Sequence, residues 1–233
     1  MSDIYTKKSF KQELLLADRG VPKALLLLGS SDAVGAIRQI NSVIAIKKVQ
    51  ATALPNIYTG FVNNKLIAFG STYATSFTAD IVHAYSEIGV KKIALFGFCG
   101  AIQTKLKKGD VVSPKIIYDN VGIFKAYGIS KKRHVIRLNT TGPDEFSVVT
   151  WHNLFSENTK LIKKWKNQNI DVVDLESAAI VAACNHKGIK PRIQLIIADQ
   201  LYKNEHLQKT YKTSYKDLCQ KRIKLIQEYV TKI

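Results

Sequence analysis

The chain has 233 residues, 46% of them hydrophobic, enough to build one sizeable core, and a single domain over residues 1–233 is expected. Lys and Arg number 35 against 18 Asp and Glu, a formal net charge of +17. The lysines are scattered as pairs (Lys7-Lys8, Lys47-Lys48, Lys91-Lys92, Lys107-Lys108) rather than gathered in one stripe. That pattern reads as a solvated surface, with no nucleic-acid partner expected. No run of about 18 apolar residues occurs, and the stretch 9–20 (SFKQELLLADRG) is broken by charges, so neither a membrane span nor a signal peptide is expected. The chain is read as cytoplasmic. Cys99, Cys184 and Cys219 are widely spaced, without a CxxC or a Cys/His cluster at ligand spacing, which points to reduced thiols and no metal.

In chain order, KALLLLG (23–29) reads as a strand, DAVGAIRQI (32–40) as a helix, and SVIAIKKV (42–49), NIYTGFV (56–62) and KLIAFGS (65–71) as strands. Asn63-Asn64 suits a hairpin turn between the last two. A helix over 76–89 leads to a strand at 91–97 and then to Gly97-Phe98-Cys99-Gly100, read as a ligand-binding loop at the strand end. GDVVSPKII (109–117) is a further strand, and 118–145 is irregular, the place for an insertion or mobile lid. Strands at 146–151, 170–175 and 192–199 alternate with helices at 155–168, 176–188 and 207–229, and Gly89 and Gly188 are helix-ending glycines. This alternation predicts an α/β fold with a mixed, largely parallel sheet and helices on both faces.

In such sheets ligands collect at the carboxyl ends of parallel strands. Four segments end in polar or glycine residues there: Gly29-Ser30-Ser31-Asp32, Gly97 to Gly100, Asp174-Leu175-Glu176-Ser177 and Asp199-Gln200. Gly29 to Gly35 matches neither a Walker loop nor GxGxxG, which excludes the usual nucleotide triphosphatases and dinucleotide enzymes, and no serine sits in a GxSxG elbow. Asp32 alone is read as a helix cap. Three acids, Asp171, Asp174 and Glu176, cluster at one strand-to-helix junction, and Asp199 follows a neighbouring apolar strand. Two carboxylates at neighbouring strand ends supply what glycosidic cleavage needs: one holds sugar hydroxyls and the other protonates a departing group.

In order and spacing, LLLLGSSD, IYTGFVNNKLIAFGS, GVKKIALFGFCGAIQTKLKKGDVVSP, VVDLESAAI and IIADQ resemble the nucleoside phosphorylase superfamily, over roughly residues 23–203. The superfamily includes purine nucleoside phosphorylases, uridine phosphorylases and nucleosidases. The resemblance implies a mixed sheet curling into a distorted barrel flanked by helices, and assembly as a homo-oligomer, a dimer or hexamer. It implies that Glu176 holds ribose hydroxyls with Leu175 beneath the sugar, that Asp199 protonates the base, and that Phe155 stacks on it. It also places Gly29, Phe98, Cys99 and Gly100 along the nucleoside. To act as an acid, Asp199 needs a pKa raised by burial.

The implied reaction is cleavage of the N-glycosidic bond of a nucleoside, a purine nucleoside by preference, through phosphorolysis; the alternatives are hydrolysis and a nucleoside- or base-binding protein without turnover. No cofactor is implied, inorganic phosphate being the co-substrate of the phosphorylases. The chain departs from the family at its phosphate grip. Ala33 or Val34 and Leu95 stand where arginines are usual, and Phe98 stands where a serine or threonine binds phosphate. Lys47 and Lys48 lie near where a neighbouring subunit's arginine enters. The glutamate that activates water in nucleosidases and the histidine near the N-terminus have no counterparts.

Overall fold

A computed structural model describes residues 14, 16, 19–30, 35, 38–41, 44–129, 134–139, 145–203 and 214–233. The expected turn residues Ser31 to Val34, most of the 32–40 helix, and residues 207–213 of the last helix lie outside the described residues.

The strand β1 (Leu25–Gly29) is buried on both faces because it lies between two parallel neighbours, β4 (Lys65–Thr72) and β5 (Ile93–Ala101). Its period-2 alternation divides the core. Leu25 and Leu27 pack with Ile81, Val82 and Tyr85 of helix α1 (Thr75–Glu87), while Leu26 and Leu28 pack with residues of the C-terminal helix, Ile226 and Val230. Ile93 and Leu95 of β5 join the first cluster, and Ala94 and Phe96 the second. Helices therefore cover both faces, as the alternation predicts.

On one side the sheet ends in antiparallel strands, β2 (Lys47–Ala51) and β3 (Ile57–Val62). Asn63 and Asn64 both take the left-handed conformation, φ 47° and 60°, in the two-residue turn from β3 to β4. The predicted strand 42–49 is displaced: the observed β2 is an exposed edge strand carrying Lys47 and Lys48. Gly70 of β4 is required by close approach, since a Cβ there would lie 2.2 Å from the Asn56 carbonyl oxygen.

On the other side β5 pairs with β11 (Arg192–Gln200) in parallel and, at Gly100 and Ala101, with β10 (Val172–Asp174) antiparallel. From β10 the sheet runs through β9 (Phe146–Thr150) to β7 (Pro114–Asp119) and to β8 (Val135–Arg137). The short β6 (Val111–Val112) precedes β7 by one residue and pairs back onto β11. Strands β5, β10, β9, β7 with β6, and β11 thus return on themselves, which curls the sheet into a distorted barrel. The predicted single strand 109–117 is split at Ser113, just before Pro114, and the pairing of β7 with β9 shifts register between Pro114 and Ile116.

The irregular stretch contains more order than expected. Asp119 accepts hydrogen bonds from the backbone N–H groups of Val121, Gly122 and Phe124 at 2.9, 2.8 and 2.7 Å, nucleating the short helix α2 (Ile123–Ala126). The predicted helix 155–168 begins only at Thr159, as α3 (Thr159–Asn167), because Asn158 caps it by accepting from the Leu161 N–H at 3.0 Å. Helix α4 (Ser177–His186) is buried along Ser177 to Cys184, its small residues allowing close packing against α1. Gly89 and Gly188 follow α1 and α4 at φ 107° and 62°, as expected for helix ends. The C-terminal helix is α5 (Ser214–Val230). Among the described residues no helix is long and apolar enough to cross a membrane.

Candidate active site

The ends of β1, β10 and β11, together with the second half of β5, surround one pocket. Of the residues expected at a site, Gly29, Phe98, Cys99, Gly100, Leu175, Glu176 and Asp199 all line it. Ser30, Tyr73, Leu154, Glu157, Val173, Asp174, Ala198 and Tyr215 complete the wall.

Two expectations are corrected. Gly97 to Gly100 is not a loop but the interior of β5, paired with β11 over its whole length and with β10 at Gly100. The glycines there admit neighbours, as a Cβ on Gly100 would come within 2.8 Å of Leu201 Cδ1. Phe155 does not reach the pocket: it stands on a 3₁₀ turn (Leu154–Ser156) and is 82% exposed. Asn153 fixes that turn by accepting from the Ser156 N–H at 2.9 Å, so Leu154 and Glu157 face inward and Phe155 faces solvent.

Glu176 stands two residues past the end of β10 and is only 4% exposed. Its Oε1 accepts a hydrogen bond from the Ala74 N–H at 3.1 Å. Ala74 adopts φ 65°, ψ 172°, a conformation ordinarily left to glycine, so backbone strain is held at the point that aims this N–H. A Cβ on Gly29 would lie 3.2 Å from Glu176 Oε2, which explains a glycine at the end of β1. Burial, reinforced by the nearby Asp174 carboxylate, pushes the Glu176 carboxyl up to about 8.

Asp174 is an anchor. It accepts from the Thr150 hydroxyl at 2.8 Å and from the Ser177 N–H at 2.9 Å, and Thr150 in turn accepts from the Ala178 N–H at 2.9 Å, tying β9 and β10 to the start of α4. Burial raises its carboxyl to about 6 against the lowering effect of these bonds. Asp171, the third acid of the cluster, is outside the pocket, held by Ser147 and by Lys105 Nζ at 2.9 Å.

Asp199 owes its placement to a β-bulge. Ile197 pairs with Cys99 and Asp199 with Gly100, so Ala198 is the extra residue, and the strand is re-aimed where the carboxylate enters the pocket. Asp199 is 5% exposed. Burial, with Asp174 and Asp199 adding to it, holds the Cys99 thiol well above its usual pKa, so it lines the pocket as a neutral thiol rather than a nucleophile.

Sequence reasoning missed Leu154, Glu157, Tyr73 and Tyr215 as lining residues and Arg222 behind them. Tyr215 packs tilted against Phe98, with ring centroids 5.7 Å apart and ring planes 50° apart, and hydrogen-bonds Ser30. The Arg222 guanidinium, 1% exposed, lies 4.5 Å from the Phe98 ring centroid and donates to the Gly29 carbonyl at 3.5 Å and to Gln39 Oε1 at 3.1 Å. Among the described residues no group of three or more His, Cys, Asp or Glu side chains is arranged to hold a metal ion.

No protein-family model matches the chain. The DeoD-type purine nucleoside phosphorylase of Buchnera aphidicola subsp. Acyrthosiphon pisum is 25% identical over 198 residues, which is 74% of this chain and 81% of that protein. The corresponding protein of Buchnera aphidicola subsp. Schizaphis graminum is 26% identical over 186 residues, 68% of this chain and 73% of its own. Futalosine hydrolase of Helicobacter pylori superposes with a TM-score of 0.72 at 13% identity, covering 91% of this chain and 99% of that one. The 5'-methylthioadenosine/S-adenosyl homocysteine nucleosidase of Helicobacter pylori gives 0.69 at 14%, covering 92% and 100%, and uridine phosphorylase of Vibrio fischeri 0.67 at 17%, covering 88% of each chain. The chain resembles the nucleoside phosphorylase superfamily in sequence and has its fold.

Against that superfamily the departures take physical form. Leu95, where an arginine is usual, is fully buried in the core cluster beside Leu25 and Ile93. Phe98, where a small hydroxyl residue is usual, fills its part of the wall with an aromatic ring backed by Arg222. Lys47 and Lys48 are on the exposed edge strand and do not line this pocket. Ala33, Val34 and Asp32 lie outside the described residues.

Proposed function

We propose that the protein cleaves the N-glycosidic bond of a purine nucleoside, with Glu176 holding the ribose hydroxyls and Asp199 acting at the base. The observation that carries this reading is the convergence of Glu176 and Asp199, from the ends of two strands that both pair with β5, on one pocket walled by Gly29, Phe98, Gly100, Leu154 and Leu175. As the C1′–N9 bond breaks, its electron pair leaves with the base and the sugar becomes oxocarbenium-like. A proton delivered from Asp199 to the imidazole nitrogen of the purine neutralises the base, while the oxygen nucleophile bonds to C1′; when that nucleophile is water, the proton it sheds restores the acid form of Asp199. The two relatives named DeoD-type purine nucleoside phosphorylases support the purine assignment. A cytoplasmic location accords with the three buried free cysteines, and assembly as a homo-oligomer with the resemblance.

Phosphorolysis and hydrolysis share this chemistry, and one observation favours water over phosphate. Among the described residues the lining contains four carboxyl groups, Glu157, Asp174, Glu176 and Asp199, and no lysine or arginine. A phosphate dianion entering there would meet no cation among the described residues, and would go without the charge-assisted bonds worth roughly 1.5–3 kcal/mol each that an arginine supplies.

The test is incubation with adenosine, inosine, guanosine and uridine, with and without phosphate, following free base by chromatography. Base release that does not require phosphate is expected; strict dependence on phosphate would overturn the choice of water, and no release with any nucleoside would overturn the enzyme reading. If a nucleoside then still raises the melting temperature, the pocket binds without turnover. Asp199→Asn is expected to slow base release at least about 100-fold, the usual contribution of a general acid, with an unchanged melting temperature. Unchanged turnover would remove Asp199 from the mechanism.

A further inference from the structure

Glu157 stands in the pocket with Asp199 and has no part in the sugar or proton chemistry above. Its position is built rather than incidental. The Glu157 N–H donates to the Leu154 carbonyl at 3.4 Å, Asn153 caps the turn before it, and Asn158 caps α3 immediately after it. The backbone is thus fixed on both sides, and the side chain is directed into the pocket beside Leu154 while Phe155 points to solvent. Glu157 and Asp199 line the same pocket, and burial, then the charge of Asp199, push the Glu157 carboxyl up to about 8.

We propose that Glu157 is the specificity-determining residue of the base subsite, forming with Asp199 a carboxyl pair that selects a base with an amino group next to a ring nitrogen, as in a 6-aminopurine. The inference rests on the reading of this pocket as a nucleoside site. Two carboxyl groups sharing one proton present one O–H donor and otherwise acceptor oxygens. An amino group supplies N–H donors to the acceptors, and the adjacent ring nitrogen accepts the O–H. A 6-oxopurine places two acceptors, its carbonyl oxygen and imidazole nitrogen, against the same pair, and one of them faces a carboxylate lone pair with no proton between. A site built for a hydrogen-bonding pattern rejects the analogue that leaves its polar groups unmatched. Leu154 and Leu175 contribute apolar surface and do not distinguish the two bases.

The experiment compares kcat/KM for adenosine and inosine in the wild type, Glu157→Gln and Glu157→Ala, and measures binding of free adenine and hypoxanthine by calorimetry. The wild type is expected to favour the amino-substituted substrate by about tenfold or more, as for one mismatched buried polar group. In Glu157→Gln, whose amide can donate to a carbonyl, the adenosine-to-inosine ratio is expected to fall about tenfold, and the adenine-to-hypoxanthine affinity ratio with it. A role in shaping the turn alone would depress both substrates equally and leave both ratios unchanged. Cleavage by the wild type with the same ratio in Glu157→Gln, or a wild-type preference for inosine, overturns the inference and leaves the nucleoside reading standing. Failure of the wild type to cleave or bind any of these nucleosides and bases overturns both.

Discussion

Replacing Glu176 by Gln should make the protein more stable and less active, with the gain in stability growing as pH rises. The Glu176 carboxyl moves from an ordinary 4.5 to about 8 on folding, chiefly through burial and secondly through Asp174. Below the unfolded value both states carry the proton, and ionisation contributes nothing. Between the two values the unfolded chain sheds a proton that the folded chain retains, so folding stability falls with rising pH; above the folded value the loss is constant. The loss amounts to about 1 kcal/mol at pH 5 and about 4 kcal/mol at pH 8. The amide of Gln still accepts from the Ala74 N–H but must itself be buried, which offsets part of the gain. That cost is the same at every pH, so the advantage of the variant still increases by about 3 kcal/mol between pH 5 and pH 8, or roughly 6–12 °C in Tm for a chain of this size. Thermal unfolding of both proteins from pH 5 to pH 9, without nucleoside, measures it. A variant advantage that stays flat or shrinks across that range would refute the burial argument, whatever the effect on activity.

Other substitutions probe the frame around the site. Ala74→Gly should raise Tm by a few degrees, because relief of about 1–3 kcal/mol of backbone strain exceeds the added entropy of glycine, about 0.5–1 kcal/mol; a lower Tm would show the conformation to be unstrained. Gly70→Ala should destabilise by about 2 kcal/mol or more in urea unfolding, since its Cβ would overlap the Asn56 carbonyl oxygen and come within 2.9 Å of Ile57 Cα, both backbone. Arg222→Ala should cost about 3 kcal/mol by the same measurement, from lost packing on Phe98 and lost bonds to Gly29 and Gln39.

What could be read from the residues was whatever local pattern carries. Runs such as Leu25–Gly29 and Arg192–Gln200 announced buried parallel strands, and acids near the ends of such runs, Glu176 and Asp199, line one pocket. The errors have equally local causes. Two glycines around Phe98 and Cys99 are turn signals, yet here they serve close approach inside a strand, as at Gly100 against Leu201. At 154–157 helical periodicity does not apply, because asparagine caps break the segment into a 3₁₀ turn and a later helix; which of Leu154 and Phe155 turns inward follows from cap geometry rather than hydrophobicity. The resemblance favoured the aromatic residue, and the cap placed the leucine. Tyr215 and Arg222 were illegible for a different reason. They sit in a lysine-rich amphipathic tail whose contact with Phe98 spans more than a hundred residues of sequence, and nothing near them in the chain marks it.

The charge distribution adds an argument that neither end of the molecule makes alone. A chain of net charge +17 draws anions toward its surface over a Debye length of about 8 Å at physiological salt. Yet the described lining of the pocket excludes every lysine and arginine and gathers four carboxyl groups, while the guanidinium of Arg222 is kept behind the Phe98 ring. Short-range interactions in a desolvated pocket outweigh the screened outer field. Among the described residues such a lining offers a dianionic nucleophile no charge-assisted donor. An aromatic ring in place of a phosphate-gripping hydroxyl therefore fits the proposed use of water: among the described residues, neither the wall at Phe98 nor the buried carboxyl groups beside it supplies a cation for phosphate.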